Sequence, residues 1–79
     1  MDKDKVKEMI ERCELFLKYD KRIFIKTKTN DYYFCDILTV GEDFIYVESF
    51  IGKRKGQKDQ IFWMDIERIS EYREESQNV

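Results

Sequence analysis

The residues able to do chemistry in this chain are few. None of its 79 residues is a histidine, which removes the commonest general base and the commonest metal ligand. A base would have to come from Asp, Glu, Lys, Tyr or Cys. The carboxylates mostly alternate with lysines, as on a solvated surface. Asp36 departs from that pattern, because it stands inside the apolar run "YYFCDILTV". It reads either as outward-facing at a bend or as a buried carboxylate paired with Lys or Arg. Cys35 beside it carries a nucleophilic atom, but no activating base is in view. Two distant cysteines, Cys13 and Cys35, do not complete a tetrahedral metal site. They read as two small buried hydrophobes. The expectation is a protein that is not an enzyme, with no cofactor, no metal and no small-molecule substrate.

The densest signal is "GKRKGQKD", Gly52 to Asp59. It holds four cations, Lys53, Arg54, Lys55 and Lys58, with two glycines and no large apolar residue. Such a segment is a loop or hairpin tip. Its cations would contact phosphates without reading sequence, or they keep a solvated tip soluble. Lys26 and Lys28 would add to the patch. Tyr32, Tyr33, Phe62 and Trp63 would stack bases where exposed, or else pack in a core or an interface. The overall charge of -2 argues against a wholly basic nucleic-acid surface, so steering must be local. Glu42 and Asp43 make one turn acidic, and Asp65, Glu67, Glu71, Glu74 and Glu75 do the same for the C-terminal end.

The elements that must position these residues follow from periodicity. "DKDKVKEMIERCELFLKYD" places Val6, Met9, Ile10, Cys13, Phe16 and Leu17 on one helical face, predicting a helix over about 4–19. Asp2 or Asp4 would cap its start. From Lys21 the period becomes two. "RIFIKTK" puts Ile23, Ile25 and Thr27 on one side of a first strand. "TND", Thr29 to Asp31, is a turn, "YYFCDILTV" a second strand and "DFIYVESFI" a third. Gly41, Glu42 and Asp43 join these two, with Gly41 free to take positive φ. Phe44 and Tyr46 on one side of the third strand, and Ile45 and Val47 on the other, predict cover on both faces, the helix supplying one. "QIFWM" is a fourth strand. Asp65 would cap a helical turn over "IERI", and "RISEY" is the last strand. The barrel is expected over about 22–72 and a polar tail over 73–79, all in a single domain of 1–79.

A helix followed by five short strands resembles the Sm-like family of small, strongly bent SH3-like β-barrels. The likeness runs from Val6 to Tyr72. It rests on the order of elements, on "FCDILTVGEDFIYVE" and on the ending "FWMDIERI". The fold class it implies is mainly β, a five-stranded barrel with an N-terminal α-helix. It implies a homo-oligomer, in the family a ring, formed by pairing the fourth strand of one subunit with the fifth of the next. Ile61, Phe62, Trp63, Arg68, Ile69 and Tyr72 would then lie at the interface. It also implies single-stranded RNA as partner. The family's uridine-reading residues are missing, however. Gly41 stands where its Asp is expected, Ile45 where its Asn is expected, and "WMDI" replaces its Arg-Gly pair. RNA would therefore be held non-specifically by Lys53, Arg54, Lys55 and Lys58, with Lys26 and Lys28. The alternative is a protein–protein scaffold on the same barrel with no nucleic-acid binding.

The start "MDKDKVKEMIERCELF" is charged and not apolar, and no run approaches the ~20 residues that span a bilayer. No membrane partner is expected, and the location expected is cytoplasmic with reduced thiols.

Overall fold

The computed structural model describes residues 3–73. Helix α1 covers Lys3–Lys18. Met9 and Cys13 are buried, and Val6, Ile10 and Phe16 pack against the core. Leu17, expected on that face, is instead 41% exposed. Phe16 takes the core-facing place, and the helix ends one residue beyond Leu17. The ending is a left-handed cap. Asp20 has φ 59°, its N–H donates to Leu17 O, and Lys21 N–H donates to Phe16 O. Asp4 lies within the first turn. A capping role for Asp2 falls outside the described residues, as do positions 74–79 of the expected tail.

Five strands follow: β1 Arg22–Thr27, β2 Tyr32–Val40, β3 Phe44–Ser49, β4 Lys58–Phe62 and β5 Ile66–Glu71. They form one antiparallel sheet in the order β4-β3-β2-β1-β5. The inner face holds Ile23, Ile25, Cys35, Ile37, Ile45, Val47, Ile61, Trp63, Ile66 and Ile69, all buried. α1 lies against this face, mainly on β2.

The sheet is not closed into a barrel, because β4 and β5 remain its two edges. It is nonetheless curled. In a flat sheet the outer strands would lie about 19 Å apart. Here only Trp63–Asp65 joins them, as a 3-10 turn, and four residue steps reach at most about 14 Å even when extended. Register shifts between Lys26 and Thr27 and between Ile37 and Thr39 mark bulges, which bend strands and tighten twist.

Four local expectations change. Trp63 and Met64 leave the fourth strand for the 3-10 turn, and that turn precedes "IERI", which is already strand. Gly41 does not have positive φ. What it needs is space, since a Cβ there would sit 3.0 Å from Phe44 O. The left-handed residue of the first hairpin is Asn30, φ 68°. Finally, β3 is covered on one face only: Ile45 and Val47 are buried while Tyr46 is 38% exposed.

Candidate nucleic-acid interface

The basic loop is ordered by its backbone. Gly52 and Gly56 take φ of 81° and 86°, which glycine tolerates without strain. Gly56 N–H donates to Ser49 O at 2.8 Å, Ser49 N–H to Gln57 O at 3.0 Å and Gln57 N–H to Arg54 O at 2.7 Å. Arg54 is committed to this frame. Its guanidinium lies 4.5 Å from the Tyr33 ring centroid, a cation–π distance, and Nη1 donates to Tyr32 O at 3.2 Å. Burial raises the Tyr33 phenol above its usual pKa, with the Arg54 charge opposing.

The six candidate cations therefore separate. Lys53 and Lys55 are exposed and make no ion pair among the described residues. Lys58 stands opposite Glu48 in the β3–β4 ladder. Lys26 pairs with Glu67 at 3.6 Å and lies 6.0 Å from the Tyr32 ring. Lys28 belongs elsewhere: its N–H donates to Asp65 O at 2.8 Å, and it lines a cleft with Val6 and Met64.

The four candidate stacking residues also separate. Tyr32 is 49% exposed, Phe62 45%, and Trp63 only 2%; Tyr33 is half-buried beneath Arg54. Tyr32 begins a row that the sequence reading did not assemble. It stacks on Phe24 at 5.7 Å, Phe24 meets Phe34 at 5.2 Å, Phe34 meets Tyr72 at 5.7 Å, and Tyr72 meets Phe50 at 5.2 Å. Arg22 lies over Phe50 at 4.3 Å and pairs with Asp36 at 3.2 Å. The row crosses the outer face of the sheet, away from α1. Alternation in "RIFIKT" set Phe24 on the side opposite Ile23 and Ile25, but Phe34, Phe50 and Tyr72 join the row only through tertiary contact. Asp36 is thus outward-facing and paired.

Clefts of about 480 and 400 Å³ flank Ile51, which lines both; Lys55 lines the first and Lys53 the second. Ser49 also borders both, yet its Oγ is enclosed and has no hydrogen-bond partner among the described residues.

The Gly41–Asp43 turn is a structural corner. Trp63 Nε1 donates to Gly41 O at 3.0 Å and Trp63 N–H to Asp43 O at 3.0 Å. Beside it Val6, Phe62, Trp63 and Met64 line an apolar cleft of about 370 Å³ bordered by Glu42, Asp43 and Asp65. Among the residues expected at a subunit interface, Ile61, Trp63 and Ile69 are buried in the core. Phe62 and Arg68 are exposed, and Tyr72 is half-buried.

Both cysteines are fully buried and free. Burial pushes each thiol up to about 12, which keeps it protonated and unreactive. Among the described residues no three His, Cys, Asp or Glu side chains are grouped to hold a metal ion, and no helix is long and apolar enough to cross a membrane. In comparisons with known proteins, no family model and no curated protein matches the chain.

Proposed function

We propose that this chain is a divergent Sm-like protein that associates edge to edge and holds single-stranded RNA by its phosphates, in the cytoplasm. The observation that carries the reading is the strand order. A curled five-stranded sheet ends in β4 and β5, and among the described residues neither edge has a further strand on it, so both present backbone groups that invite one. On this reading the sheet is an opened Sm-like barrel, and head-to-tail pairing of β4 with a neighbour's β5 closes a ring. Lys53 and Lys55 supply phosphate contacts, and Tyr32 offers a ring on which a base stacks.

With these two phosphate contacts per subunit, the slope of log affinity against log salt should be roughly -1.4 for each subunit engaged. Native mass spectrometry with and without oligouridine tests both parts. An oligomer that gains oligouridine at low salt, and loses it in Lys53→Glu/Lys55→Glu, is expected. A strictly monomeric species at high concentration removes the assembly. An oligomer that never takes up RNA removes the RNA reading and leaves the second one, a protein–protein scaffold. That second reading draws support from Arg54 and Lys26, which already have partners within the subunit.

A further inference from the structure

We infer that the acid-bordered cleft at Met64 receives the basic loop of a second copy, with Ile51 as the inserted side chain. The two surfaces are complementary in shape class and in charge. Met64 is 72% exposed and Phe62 45%, high values for apolar side chains. They line the cleft of about 370 Å³ with Glu42, Asp43 and Asp65 at its border. These three carboxylates have no ion-pair partner among the described residues. Methionine adapts to what enters such a cleft. On the loop, Ile51 is 42% exposed and stands between one cleft lined by Lys55 with Arg22, Asp36 and Glu48 and another lined by Lys53 with Arg54 and Asp31. Asp36 is held by Arg22 and Glu48 faces Lys58, and the loop itself, Ile51 to Lys58, carries cations and no carboxylate. An apolar side chain flanked by two unpaired cations fits an apolar cleft flanked by unpaired carboxylates. Past Met64 the smaller adjoining cleft carries Lys5 and Lys28, so the acidic border lies on one side only and fixes the direction of approach.

The contact must be made between molecules. β3 and β4 separate the two surfaces, and the five steps from Phe44 to Ser49 alone cover about 17 Å. The arrangement is heterologous: the corner of one copy takes the loop of the next. It is small beside a standard interface, so it is weak alone and sensitive to salt. It does not depend on RNA binding or on edge pairing. Because it occupies Lys53 and Lys55, docking and RNA exclude each other.

Charge exchange between two full-length variants tests it, read by light scattering or sedimentation at low and high salt. Glu42→Lys/Asp43→Lys makes corner and loop both basic, and Lys53→Glu/Lys55→Glu makes both acidic. Each variant alone should lose the salt-sensitive part of wild-type association, and their mixture should regain it. Ile51→Ser and Met64→Ser, both exposed and neutral in charge, should each weaken that part by about tenfold, which is about 1.4 kcal/mol. The control adds Glu11→Lys/Glu14→Lys, on the exposed side of α1, to the acidic variant itself, which returns the net charge to that of the wild type while corner and loop both stay acidic. It should remain without the salt-sensitive association; if it associates like wild type, attraction is non-specific and the inference is overturned. It is overturned too if Ile51→Ser associates like wild type, or if the wild type shows no salt-sensitive association. Edge pairing is judged separately, by the association that survives high salt.

Discussion

At the scale of single residues, the strongest constraints are buried polar groups. Among the described residues Ser49 Oγ has no partner, and an unsatisfied buried hydroxyl costs about 1–3 kcal/mol. Ser49→Ala should therefore raise unfolding stability by about 1 kcal/mol, measured by denaturant titration. A fall in stability would mean that the hydroxyl is satisfied. Trp63 shows the opposite case. Its indole N–H reaches Gly41 O, so Trp63→Phe leaves that carbonyl alone and should cost about 1–3 kcal/mol. The thiols give a pH dependence. Cys13 and Cys35 rise from 9.0 to about 12 on folding. Above pH 9 the unfolded chain releases thiol protons that the folded chain keeps, so their contribution is complete below pH 9 and is lost as pH rises towards 12. Urea midpoints between pH 8 and 11 should fall more steeply in the wild type than in Cys13→Ala/Cys35→Ala. Parallel curves would contradict the burial. Sequence alone marked both cysteines as core residues, but it carried no sign that Ser49 would lack a partner.

Elements in this chain are set largely by their ends. α1 closes with Asp20 in the left-handed region, a conformation that costs a non-glycine residue roughly 1 kcal/mol. Asp20→Gly should raise the thermal midpoint by a few degrees for a gain of about 0.5 kcal/mol; an unchanged or lower midpoint would show that Asp20 is stabilised there by something else. At the β2–β3 corner the need is for room, not for positive φ. Gly41→Ala brings a Cβ to 3.0 Å from the Phe44 carbonyl, so the corner must shift. These ends were partly legible. Glycine, asparagine and aspartate marked where the chain turns, because turn chemistry is local. Which of them takes positive φ was not legible. The strand register around each turn decides that, and register depends on bulges in the partner strands.

For the whole molecule, the decisive feature is a curled sheet with two edges left over. If those edges pair between subunits, folding and association are linked, and the thermal midpoint should climb with protein concentration. A midpoint constant over a hundredfold dilution would fit a monomer. The outer aromatic row and the apolar cleft at Met64 are also products of this scale, since each combines residues remote in sequence. The sequence by itself determined the helix, the period-two strands and most of their turns, because side-chain periodicity and turn preferences act over a few residues. Only the tertiary structure decided that β4 and β5 stay apart, that Arg54 is spent on Tyr33, that Lys28 leaves the basic patch, and that Phe50 and Tyr72 complete the aromatic row. These outcomes depend on which distant backbones meet, and the short-range pattern of a chain does not encode that.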